Sequence, residues 1–174
     1  MRKVLYLLGQ LADNDVEWLA RAGERRDLAA GTVLIRRGQP ITDFIIVLTG
    51  RLVVLGDNEA EIARLGAGEI VGEMSLLDHR PPSATARALE ATTVLAIDRR
   101  RLQQKLEADT AFAARFYRAL ALFLSDRMRS TLGRLGYGKV SIDEEEELPE
   151  ALLDNLHLAG ARFEAIMRRL LAPV

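Results

Sequence analysis

The rhythm of hydrophobic and polar residues changes twice along this chain. Between Arg26 and Asp98 the apolar residues fall in short runs separated by glycine-containing turns: Thr32–Ile35, Phe44–Leu48, Leu52–Leu55, Glu61–Leu65, Ala84–Leu89 and Thr93–Ile97. Runs of four to six residues, rich in β-branched side chains and bounded by turn signals, predict an antiparallel sandwich or barrel. Phe44-Ile45-Ile46-Val47-Leu48 contains no polar residue, so it is predicted to be covered on both faces. On either side of this region the period is helical. Leu11, Val16, Leu19 and Ala20 predict a helix with Asp13 as N-cap and Gly23 as its end, and Trp18 is expected as a core or cap residue.

After the strands, Asp98 is predicted to cap a short helix over Arg99–Leu106, and Asp109 or Thr110 a long one over about Ala111–Leu132. Phe112, Phe116, Leu120, Phe123, Leu124 and Met128 give the long helix a broad apolar face. Gly133, Gly136 and Gly138 are expected to break it. The acidic run Asp143–Glu147 reads as a solvated linker. Pro149 opens a last helix whose seam, Leu152, Leu156, Ala159, Phe163, Ile166 and Leu170, repeats at 4-3-4-3-4 spacing. The expected host for that seam is first the long helix of the same or a second copy, then another protein, then a membrane surface. The fold class is therefore mainly β with flanking helices, an antiparallel jelly-roll or sandwich. The expected segments are 1–25 helical, 26–109 β-roll, 110–135 long helix, 136–149 linker and 150–174 C-terminal helix.

Composition narrows the functions. The 174 residues carry a net charge of −1, with 49% hydrophobic and 28% charged residues, an ordinary globular balance. That balance carries no global argument for nucleic acid or an anionic membrane. The absence of cysteine excludes disulfides, thiolate metal sites and a cysteine nucleophile. No apolar stretch approaches the roughly 18 residues of a membrane span, and Val4–Leu8 is too short for a secretory core. A cytoplasmic protein is expected. The two histidines, His79 and His157, have no partner at metal spacing, and no nucleophile motif is present. No metal site and no enzymatic activity are expected.

The candidate chemistry lies in Gly68–Ala88, GEIVGEMSLLDHRPPSATARA. Gly68 and Gly72 allow close backbone approach, and Gly72 precedes a short helical run, an arrangement suited to an anion. The order Gly72-Glu73-Met74-Ser75-Leu76-Leu77, a five-residue loop, then Ser83-Ala84-Thr85, resembles the phosphate-binding cassette of the cyclic-nucleotide-binding domain family. Gly38 and Gly50, bracketing the apolar run at 44–48, are similar to that family's first signature, although Ile41 and Thr42 replace its small residue and aspartate. The resemblance covers about residues 10–132. It implies that Glu73 holds a ribose 2′-hydroxyl, that Ser83 and Ala84 serve the phosphate, and that the long helix lids the nucleotide and forms a homodimer seam. Simple packing of that helix on its own barrel is the competing expectation.

One position departs from the family. Pro82 stands where an arginine pairs with the cyclic phosphate, and proline offers neither charge nor N–H. A charge-assisted hydrogen bond contributes about 1.5–3 kcal/mol, so binding of cAMP or cGMP is expected to be weakened or lost. The expected ligand set is Val71, Gly72, Glu73, Met74, Arg80, Pro82, Ser83, Ala84, Thr85 and Arg87, with Val71, Leu55 and Ile62 as apolar wall. Two functions follow: a dimeric, non-catalytic regulatory or interaction module working through a protein effector, or a true nucleotide sensor in which Arg80 or Arg87 supplies the missing charge. The C-terminal 40 residues show no helix-turn-helix pattern, and DNA binding is not expected.

Overall fold

Two four-stranded antiparallel sheets face each other in the computed structural model, which describes residues 7–134 and 156–171. The strands are β1 (Gly23–Leu28), β2 (Val33–Ile35), β3 (Asp43–Thr49), β4 (Leu52–Leu55), β5 (Glu61–Leu65), β6 (Ile70–Val71), β7 (Thr85–Ala88) and β8 (Thr92–Asp98). One sheet has the order β1-β8-β3-β6, the other β2-β7-β4-β5. Helices α1 (Asp13–Ala22), α3 (Arg99–Ala108), α4 (Thr110–Arg134) and α5 (Leu156–Leu171) flank the first sheet, and the short α2 (Glu73–Asp78) follows β6.

Strand β3 is buried along both faces for a reason visible in its alternation. Phe44, Ile46 and Leu48 meet the helices, in one core with Leu19, Leu102, Phe112, Phe116 and Phe123. Ile45 and Val47 point between the sheets, toward Val94 and Ala86 on one side and Leu52, Leu65 and Ala88 on the other. Two strands escape a reading of hydrophobic pattern. Strand β1, Gly-Glu-Arg-Arg-Asp-Leu, is a charged edge strand paired with β8, and Arg26 holds Asp43 at 2.9 Å. Strand β6 has only two residues.

Helix α1 begins one position earlier than expected. Asp13 is its first residue, Ala12 is the N-cap, and Asp15 supplies the cap by accepting from the Ala12 N–H at 2.8 Å. Asp98 and Asp109 cap α3 and α4 by accepting from the N–H groups of Arg101 and Phe112, both at 2.9 Å. Helix α4 runs through Gly133 rather than ending there.

The apolar face assigned to a dimer seam is spent inside the chain. Phe112, Phe116, Leu120 and Phe123 are buried against α1 and the first sheet; Phe116 stacks obliquely on Phe44 with ring centroids 5.5 Å apart. Leu124 is half-buried and Met128 is 61% exposed. The reason is helical phase: the face wide enough to suggest two contacts is needed to cover β3 and β8. Trp18 meets Phe112 at 5.7 Å, with Lys105 over both rings.

Helix α5 packs on α1, not along α4 as expected. Ala159 and Ile166 are buried, and Phe163 and Leu170 lie against the same core. Arg162 reaches Asp13 at 2.8 Å and donates to the Leu8 carbonyl at 2.8 Å, while Arg25 donates to the Leu170 carbonyl at 3.0 Å. The expected linker, Pro149 and Leu152 lie outside the described residues, as do the side chains of Leu156 and His157.

Candidate nucleotide-binding site

Gly72 sets the site in place. It joins β6 to α2 with a φ of 93°, and a Cβ there would sit 2.8 Å from the Asp43 carbonyl oxygen. A residue with a side chain meets both a strained backbone and a collision, so glycine is required. Helix α2 then turns Glu73, Ser75 and Leu76 inward and leaves Met74, Leu77 and Asp78 outside. It ends at His79, which takes a left-handed conformation and contacts the Arg99 guanidinium.

The loop that follows is pinned at three points. The Asp78 carboxylate accepts from the Arg80 N–H at 3.0 Å, the Pro82 carbonyl accepts from the Gly38 N–H at 2.9 Å, and the Thr85 hydroxyl accepts from the Arg37 N–H at 3.2 Å. Gly38, which the sequence marks only as a turn, thus anchors the loop that carries Pro82.

These elements enclose a cavity of about 250 Å³. Val71, Gly72, Glu73, Met74, Arg80, Pro82, Ser83, Ala84 and Thr85 line it, with Ile35, Ile41, Val54, Leu65 and Ala86 as apolar wall. Nine of the ten expected ligand residues are therefore brought together. Arg87 is not among them: Ala86 and Ala88 face the interior, so strand alternation turns Arg87 to the outer face, 3.6 Å from Glu59. The same alternation corrects the expected wall. On β4 and β5 the inward residues are Val54 and Leu65; Leu55 is buried outside the cavity and Ile62 is exposed.

The site contains a residue that the pattern of the sequence did not single out. Arg127, in the second half of α4, reaches into the cavity wall and places Nη1 2.7 Å from Oε1 of Glu73. The Glu73 side chain is 4% exposed, that of Arg127 32%. A carboxylate this buried needs a compensating charge. Arg127 supplies it from 54 residues away, on the polar flank of a helix where an arginine has no distinguishing signature. The lining charges are Glu73, Asp78, Arg80 and Arg127, two of each sign. Among the described residues there is no group of three or more His, Cys, Asp or Glu able to hold a metal ion, and no helix is long and apolar enough to cross a membrane.

Known proteins share this architecture. The family described as cyclic nucleotide-binding domain matches residues 25–109. The crystal structure of a cyclic nucleotide-binding domain from Methylobacillus flagellatus KT superposes with a TM-score of 0.69 at 24% identity, covering 80% of this chain and 85% of that one, a likeness of fold. The cyclic AMP receptor protein of Thermus thermophilus is 36% identical over 93 residues, 51% of this chain and 43% of that protein. An uncharacterized NTE family protein of Mycobacterium tuberculosis is 29% identical over 118 residues, 68% of this chain. The chain spans 20% of that protein's length, so whole-protein activities of such relatives do not transfer with the match.

Proposed function

Residues 25–109 are a domain of the cyclic nucleotide-binding family, and we propose that this chain is a non-catalytic regulatory module in which binding of cAMP or cGMP is weakened. The observation that carries the reading is Pro82 on the wall of a cavity that otherwise has the family's parts. Glu73, Ser83 and Ala84 line that cavity; in this reading Glu73 accepts from a ribose hydroxyl and Ser83 and Ala84 serve the phosphate. The loop itself offers no guanidinium at the position of Pro82. The 36% identity to a cyclic AMP receptor protein makes cAMP the first probe. Calorimetric titration with cAMP and cGMP tests the reading. Weak heat that vanishes in Glu73→Ala, and tightens about ten- to a hundredfold in Pro82→Arg, is the expected result. Micromolar binding that survives Glu73→Ala and ignores Pro82→Arg would sink it.

A second reading, a full-strength sensor, is favoured by Arg80, which lines the cavity from the loop. It predicts micromolar binding by the unaltered chain and loss of binding in Arg80→Gln.

The output surface in this proposal is the outer side of α4. Ala114, Tyr117, Ala121 and Met128 are exposed and Leu124 is half-exposed. They recur at 3-4-3-4 spacing, the seam of a two-helix contact, with alanines that let two backbones approach. A homodimer would form here, one helical face away from Phe112, Phe116, Leu120 and Phe123. The module acts in the cytoplasm on a protein effector.

A further inference from the structure

We infer that Arg127 replaces the missing loop arginine as the ligand's anion partner, so that the cyclic phosphate is held by helix α4 rather than by the β-roll. The inference rests on the nucleotide reading above and deepens it. Three observations carry it. Pro82 leaves no cation at the position where the family places its arginine. Arg127 lines the same cavity, within 2.7 Å of Glu73. Arg87, one of the two alternatives, faces away and pairs with Glu59.

The exchange follows from the cost of giving up the Glu73–Arg127 contact, whose carboxylate is 4% exposed. Removing one partner of a buried pair leaves the other uncompensated, which is strongly unfavourable. A ligand that separates Glu73 from Arg127 gives up their 2.7 Å contact and is favoured when it offers each side chain a new partner. A ribonucleoside cyclic phosphate has the two groups needed. Its 2′-hydroxyl donates to the Glu73 carboxylate, and its phosphate oxygens accept from the Arg127 guanidinium, which presents planar N–H donors suited to phosphate. A neutral nucleoside offers Arg127 no anion, and a 2′-deoxynucleotide offers Glu73 no ribose hydroxyl. The pocket thus selects for both features at once. Because Arg127 belongs to α4, binding alters the attachment of the helix that carries the outer apolar stripe, whereas a loop arginine would hold the ligand within the β-roll alone.

The test is calorimetric titration of the full chain and of Arg127→Gln, Arg127→Lys and Arg80→Gln, with cAMP, 2′-deoxy-cAMP and adenosine to millimolar concentration. The inference expects Arg127→Gln to weaken cAMP binding at least tenfold, Arg127→Lys to retain part of it, and Arg80→Gln to change it less than twofold. It expects 2′-deoxy-cAMP and adenosine each to bind at least tenfold more weakly than cAMP. Pro82→Arg in the Arg127→Gln background should restore binding, which also shows that the doubly altered chain is folded. Circular dichroism of each variant supplies the same control. Binding unchanged or tightened in Arg127→Gln, or abolished in Arg80→Gln, overturns the inference and leaves the nucleotide reading standing. So does a silent unaltered chain that Pro82→Arg makes competent. Silence of both the unaltered chain and Pro82→Arg removes the nucleotide reading and the inference together.

Discussion

Asp15 and Arg115 lie 100 residues apart in the chain and meet through two hydrogen bonds, Arg115 Nε to Oδ2 at 2.7 Å and Nη2 to Oδ1 at 3.0 Å. The Asp15 side chain is 1% exposed, and it also caps α1. One carboxylate therefore ends a helix locally and joins that helix to α4. The contact holds the Arg115 proton more tightly than usual, chiefly through the hydrogen bond to Asp15. Arg115→Met strands a buried carboxylate and is expected to lower Tm by about 5 °C or more. Asp15→Asn added to Arg115→Met should recover part of that loss, because the stranded group is then neutral. A thermal-denaturation cycle of the four proteins measures the coupling. Additive effects would contradict it.

Gly72→Ala is expected to cost about 1–3 kcal/mol in chemical denaturation, the range for a non-glycine residue forced into an unfavourable backbone region. The added methyl must also clear the Asp43 carbonyl, 2.8 Å away. Any displacement moves α2, and Glu73 with it, so weakened nucleotide binding should accompany the loss of stability. Stability unchanged from the unaltered chain would mean that the turn relaxes freely.

The junction of α3 and α4 should be acid-sensitive. Asp109 is held below the ordinary carboxylate range, first by the Lys105 ammonium at 2.8 Å and next by the Phe112 N–H. A carboxyl depressed in the folded state contributes stability above its unfolded value of 3.8, and that contribution is lost as pH falls through the folded value. Asp109→Asn should therefore be less stable than the unaltered chain at neutral pH, with the difference shrinking steadily below about pH 4. Urea midpoints measured from pH 7 to pH 3 read this directly. A difference independent of pH would assign the effect to packing.

Sedimentation distinguishes the two faces of α4. Met128→Glu and Ala121→Glu lie on the exposed stripe and should dissociate a homodimer while leaving the fold intact. Phe116→Ala, on the buried face, should instead destabilise the chain by about 3–5 kcal/mol. A monomer at all concentrations in the unaltered chain would remove the dimer from the proposed function.

How much was legible beforehand depended on the range of the interactions. The run 44–48, the Asp98 and Asp109 caps and the short helix that follows Gly72 are local, and each is present as read. Strand β1 was hidden because an edge strand stabilised by pairing to β8 and by ion pairs needs no apolar pattern. The expected wall residues Leu55 and Ile62 lie out of phase with the inward residues Val54 and Leu65. A bend in the register between Val54 and Leu55 falls just there, and pattern alone does not reveal it.

By itself the sequence determined the sandwich and its flanking helices, because helix period, strand alternation and glycine turns act over a few residues. The tertiary structure alone decided that the aromatic face of α4 is consumed by its own core, that α5 rests on α1, and that Arg127 stands against Glu73. These depend on which faces meet after the chain has closed on itself. A buried carboxylate selects its partner by distance and desolvation in space, and a separation of 54 positions between Glu73 and Arg127 carries no trace of that choice.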